Sequence, residues 1–138
     1  MNTESGHLPP PIEGIGGIVI DCADGRVLSE FYEQATGGEV VRSSADGDFI
    51  KVGGVLLLIR ELPDYVAPTW PSAEVPMQFH MEFYVADLVE AEGRLQSLGA
   101  TTPEYQVHRD DGLVVMLDPA GHPFCIATRE GGPPELQV

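Results

Sequence analysis

From Gln78 to Val85 the chain alternates, with Phe79, Met81, Phe83 and Val85 on one side and His80, Glu82 and Tyr84 on the other. That is the two-residue period of a strand with one dry face. Asp87 follows at a helix N-cap position, and Glu90, three residues on, completes the sequence of a capping box. Leu88, Ala91, Leu95 and Leu98 then recur at helical spacing until Gly99, which is placed to end the helix. The same grammar occurs earlier. Ile18 and Ile20 oppose Val19 and Asp21 over a strand Ile18–Cys22, Asp24 stands at a cap, and a helix is predicted over 25–36 with Leu28, Phe31 and Ala35 on one face. Gly37-Gly38 break it. Ala23-Asp24 and Ala86-Asp87 are 63 residues apart, so the chain reads as an internal repeat.

Each strand-helix unit is followed by shorter alternating runs. In the first half these are 39–43, 48–52 and 55–60, joined by Ala-Asp-Gly and Gly-Gly turns suited to hairpins. In the second they are 104–108, 113–117 and 123–129, the last entered through Asp118-Pro-Ala-Gly121. Each half is therefore expected to fold as β-α-β-β-β, an α+β architecture in which two modules form a curved mixed sheet with helices on its convex face. The expected boundaries are 14–60 for the first module and 77–130 for the second. Between them, 61–76 carries four prolines and the single tryptophan, Trp70, and reads as a linker. Residues 1–13 and 131–138 read as loose termini.

Composition narrows the class. An apolar fraction of 43% over 138 residues supports a globular core. The longest uninterrupted apolar runs, 55–59 and its equal 113–117, are far too short to span a membrane, and no export signal is expected at the start of the chain. Cys22 and Cys125 both fall in expected strands without metal-finger spacing, so reduced thiols in a cytoplasm are the expected state. The net charge of −15 disfavours nucleic acid, because no Lys/Arg cluster is present to displace counterions from phosphates.

The repeated pattern resembles the vicinal oxygen chelate superfamily of glyoxalase I, bleomycin-resistance proteins and extradiol dioxygenases. The resemblance spans about 15–129 and rests on IVIDCADGRVLSEFY in the first half and HMEFYVADL with LDPAGHPFCI in the second. DPAGHPF looks especially like the small glyoxalase-like domain group. The resemblance implies a concave ligand site and a homodimer, since relatives often complete their clefts across a two-fold axis.

It also implies where metal ligands would sit in metal-dependent members: at the start of the first strand and on the last strand of each module. Here those positions are Gly17 and Leu56 or Leu57 in the first half, and His80 and Cys125 in the second. Only two of the four can bind a metal, whereas a catalytic zinc site uses three protein ligands and an open position. Asp21 and Glu82 stand two or four residues along their strands, roughly 7–14 Å away at the usual rise. No cofactor is therefore expected, and if a metal is present its ligands are His80 and Cys125 or Glu82. The expected ligand-binding residues are Asp21, His80, Glu82, Tyr84, Cys125 and Trp70. The function these imply is binding or sequestering a small organic ligand, in the manner of bleomycin-resistance proteins. The alternative is a glyoxalase- or epimerase-like lyase or isomerase with an altered or absent metal site, in which His80 and Glu82 move protons.

Overall fold

The first strand, β1 (Ile18–Cys22), buries Ile20 and Cys22 and leaves Val19 half exposed, as its alternation dictates. Asp24 caps α1 (Gly25–Thr36), its carboxylate accepting from the amides of Arg26 and Val27, and Gly37 closes the helix in the left-handed region at φ 65°. These ends match the expected ones because each is written by a local residue. The chain continues through β2 (Glu39–Ser44), β3 (Gly47–Val52) and β4 (Val55–Glu61), giving a sheet of order β1-β4-β3-β2 in which β1 and β4 run parallel. After a long connection come β5 (Met81–Tyr84), α2 (Leu88–Leu98), β6 (Leu113–Leu117) and β7 (Pro123–Ala127). The second sheet has order β5-β7-β6, with β5 and β7 parallel. It repeats the order of the first with the outermost strand missing. This is a computed structural model, and it describes Gly6 and residues 8–131.

The α+β class and the mixed pairing are as expected, and the single curved sheet is realised as two small sheets. One expected strand is absent. Over 104–108 the backbone does not pair; the Gln106 side chain instead accepts from the Val115 amide and donates to the Val115 carbonyl, both at 2.9 Å. One amide group thus does for β6 what a neighbouring strand residue would have done. Only Thr101 bridges Leu117 beyond it, and a short 3-10 turn follows at Arg109–Asp111. A second correction concerns Phe79. Sheet pairing begins at Met81, so Phe79 precedes the ladder and is 71% exposed instead of joining Met81, Phe83 and Val85 in the core. The capping box is half made: the Asp87 carboxylate accepts from the Glu90 amide, while the Glu90 carboxylate pairs with Arg94.

One apolar core joins both halves. Leu28, Phe31, Tyr32, Ile50, Leu57 and Ile59 from the first pack with Val114, Met116, Phe124 and Ile126 from the second, and the α2 stripe lies against them partly buried. Phe124 is the pivot, with ring centroids 6.1 Å from Phe31 and 5.8 Å from Phe83. Polar contacts cross the same boundary. The buried Tyr32 hydroxyl donates to Asp118 at 2.6 Å, and the other Asp118 oxygen accepts from the amides of Ala120 and His122. His122 Nε2 lies 2.6 Å from the Asp21 carbonyl, and the Tyr65 hydroxyl of the connection donates to the Ala120 carbonyl. The DPAGH turn, closed by Gly121 at φ 90°, is therefore where both halves and the connection are fastened. The expected loose termini lie outside the described residues except for Gly6, 8–13 and Gly131. No helix of the described residues is long and apolar enough to cross a membrane.

Candidate functional site

The face of the second sheet opposite the shared core is also apolar. Leu113 and Val115 of β6 and Cys125 and Ala127 of β7 alternate onto it, and Trp70 covers them from the connection. A pocket of about 420 Å³ opens there, walled by Trp70, Met77, Val107, Leu113, Val115 and Pro123. Trp70 is held against Tyr105 with ring centroids 5.7 Å apart. His80, Glu82, Cys125 and His108 bring the polar atoms. A mostly apolar concavity with a few convergent polar groups is what small-molecule sites look like.

The geometry of those groups follows from strand register. Parallel pairing sets Glu82 directly beside Cys125, while His80, two residues earlier, points the same way. His80 Nε2 lies 3.2 Å from Glu82 Oε2, and the Cys125 thiol donates to the Glu82 carboxylate. Imidazole, carboxylate and sulfur atoms all fall within 4.8 Å of one another, the one such group among the described residues. Glu82 is nearer the expected ligand positions than its offset along β5 implies. Glu82 lies two residues from His80 along one strand, but Cys125 is carried opposite Glu82, so the carboxylate sits between its partners. Cys125 is buried, and burial with the adjacent Glu82 pushes its thiol up to about 12. Free of metal it is a protonated, weakly nucleophilic sulfur.

Two expected site residues are engaged elsewhere. The Asp21 carboxylate is held by the Arg60 guanidinium through contacts of 2.8 and 3.2 Å, on the first sheet and away from His80. Tyr84 lies under the Arg129 guanidinium, 4.3 Å from the ring centroid, beyond the end of the pocket. Trp70, His80, Glu82 and Cys125 share the pocket. Met77, Val107 and His108 also line it and were not expected, because they come from loops without periodicity. Leu113 and Val115 were not expected either, because β6 is apolar at every position and its sequence does not show which side chains face the pocket.

The ligand set that spans both modules does not fit this chain. Matching the two parallel pairs places Leu58, not Leu56 or Leu57, where the second half has Cys125. At Gly17, the counterpart of His80, a Cβ would lie 2.5 Å from Leu58 Cδ1 and 3.0 Å from the Leu56 carbonyl oxygen. The missing ligand is not merely absent; leucine occupies its space. The first half therefore offers no ligand at either of these two positions.

This architecture places the chain among the small β-α-β-β-β proteins with paired modules. Residues 17–127 match the family model described as a glyoxalase-like domain, and the chain belongs to that family, within the vicinal oxygen chelate superfamily. No curated protein sequence matches it. Among solved structures it is similar to the fosfomycin resistance protein FosX from Listeria monocytogenes, at 20% identity over 92% of this chain and 99% of that one, with a TM-score of 0.66. FosX from Mesorhizobium loti aligns at 17% identity over 85% and 92% of the two chains, with a TM-score of 0.65. A glyoxalase family protein from Enterococcus faecalis aligns at 23% over 83% and 97%, with a TM-score of 0.61. The Listeria protein is also seen complexed with Mn(II) and a sulfate ion. At these identities the likeness is one of fold.

Proposed function

We propose that the protein binds a small organic molecule in the pocket under Trp70, and that the molecule is neutral or cationic with substantial aromatic or apolar surface. The carrying observation is the lining itself. Trp70, Met77, Val107, Leu113, Val115 and Pro123 supply apolar contact, Glu82 supplies negative charge, and no Lys or Arg lines the pocket. A phosphonate or sulfate would therefore meet no guanidinium or ammonium here, in a chain of net charge −15. This favours sequestration in the manner of bleomycin-resistance proteins over fosfomycin chemistry.

Nile red, a neutral apolar probe, tests the reading. Metal-free protein is expected to bind it with quenching of Trp70, the single tryptophan, and inorganic phosphate is expected not to compete. Val115→Asp, which puts a charge on the pocket floor, is expected to weaken binding by about tenfold or more. Binding unchanged in Val115→Asp would place the ligand elsewhere.

The lyase or isomerase alternative draws its support from the His80–Glu82 contact, a proton-sharing pair at a pocket wall. The proposal extends to a homodimer. Val19 and Phe79, 51% and 71% exposed, border an open cleft with Val66 and Tyr65 beside the pocket, and a second copy would cover that apolar edge. Light scattering at micromolar concentration is expected to give twice the chain mass; a monomer mass would count against it.

A further inference from the structure

We infer that Glu33 and Asp48 share one proton and form, with Arg26, a pH-sensitive clamp that holds α1 on β3, closed while Glu33 is protonated and loosened when it ionises. None of the three lines the pocket under Trp70, so the clamp goes beyond the proposed function.

Asp48 is 2% exposed, and its amide donates to the buried Ser29 hydroxyl at 2.9 Å. The Arg26 guanidinium donates to Asp48 Oδ2, while Oδ1 is buried with no hydrogen-bond partner among the described residues. A buried carboxylate oxygen left bare is destabilising, so the site calls for a further donor. Glu33 is the group within reach. Its side chain hydrogen-bonds with that of Asp48, and the same Arg26 nitrogen lies 3.3 Å from Glu33 Oε2. Two carboxyl groups thus face one guanidinium, and because an ionised carboxylate only accepts, they can bond to each other only if one holds a proton. The helix cannot back away from this contact. Gly25, at its start, lies so close to the β2–β3 turn that a Cβ would stand 1.9 Å from the Asp46 carbonyl oxygen.

The surroundings assign the proton to Glu33. Its hydrogen bond to Asp48, and then burial, push its carboxyl up to about 7, with Glu30 adding to the rise and Arg26 opposing it. Burial by itself would raise Asp48 too, but the hydrogen bonds from Glu33, Arg26 and Ser43 outweigh it and hold that carboxyl below its usual range. Of the other charged groups on neighbouring elements, Glu61 of β4 accepts from the Gly25 amide and Glu90 of α2 pairs with Arg94. Because the folded value of Glu33 lies above the unfolded one, its favourable contribution is full below the ordinary glutamate range and is lost as pH rises through about 7. Beyond that, two negative charges share one guanidinium and Asp48 Oδ1 loses its donor. The helix carries Phe31 and Tyr32 into the core that joins the halves, so its loosening reaches the Tyr32–Asp118 bond as well.

The test uses the full chain. Carboxyl titration followed by carbon NMR is expected to show Glu33 titrating at about 7 and Asp48 below the usual aspartate range. Asp48→Asn is expected to return Glu33 to about 4.3, the value of an unpaired glutamate. The urea midpoint of the wild-type protein is expected to fall between about pH 5 and about pH 8. Glu33→Gln, whose amide can donate to Asp48 at every pH, is expected to lose much less over the same range. The Asp118 carboxyl is present in both proteins, so the difference between the two profiles belongs to the Glu33–Asp48 pair. Glu33 titrating in the ordinary glutamate range in the wild type would overturn the inference. So would a Glu33 value unmoved by Asp48→Asn, or urea profiles that run parallel in the wild type and Glu33→Gln. If Asp48→Asn does not fold, Glu33→Gln decides alone through the urea profile, since that variant keeps a donor facing Asp48.

Discussion

Phe124→Ala should cost about 3–5 kcal/mol of stability, and the two halves should unfold in a single transition shifted to lower denaturant. Phe124 is 2% exposed and stands between Phe31 of the first half and Phe83 of the second. Truncation removes the ring that both halves pack against, and Phe31 on α1 and Phe83 on β5 are each held by their own element and cannot collapse into the gap. The loss is therefore larger than for Phe83→Ala, because Phe83 is only partly buried at the same contact. Equilibrium urea unfolding followed by Trp70 fluorescence and by far-ultraviolet dichroism checks both parts. Two separated transitions in the wild-type protein would show that the halves are independent and the shared core weak.

The second large effect is polar. Asp118→Ala should cost about 3 kcal/mol or more, since it leaves the Tyr32 hydroxyl and the amides of Ala120 and His122 without their acceptor. Tyr32→Phe removes one of those bonds and should cost about 1–3 kcal/mol. Because the residues share one network, the double variant should fall short of the sum by about 0.5–3 kcal/mol. Additive losses would mean that Tyr32 and Asp118 stabilise the chain separately. Burial holds the Asp118 carboxyl above its usual range despite these donors. Its favourable contribution is accordingly greatest below the ordinary aspartate pKa and falls as pH rises through the raised folded value.

What the sequence made legible was what is encoded locally. Both caps and both closing glycines mark their helices, and the period of β1 assigns its faces without reference to the rest of the chain. The misreadings arose where a distant partner decides. Phe79 has the right parity for the core, but the ladder starts two residues later. The run 104–108 has the look of a strand, yet one side chain, Gln106, satisfies the edge it would have paired with. The site divides the same way. Asp21 and Tyr84 have the parity of a pocket face, and arginines from elsewhere in the chain, Arg60 and Arg129, engage them first. Cys125 could be counted from the DPAGH turn, but that it faces Glu82 is a property of register, which no single strand displays.

The close approach of Leu58 to Gly17 makes positions 17 and 58 interdependent. Any side chain at position 17 meets Leu58 Cδ1 and presses on the Leu56 carbonyl oxygen, so a histidine placed there alone requires the leucine side chain to turn aside and the backbone to give by a few tenths of an ångström. A carboxylate placed at 58 alone would stand opposite the half-exposed Val19, with Gly17 beside it offering no side chain. Neither single change gains what the pair would gain together. Directed evolution of the cleft should therefore change 17 and 58 together, and reach single changes in the second half more readily than single changes at either position.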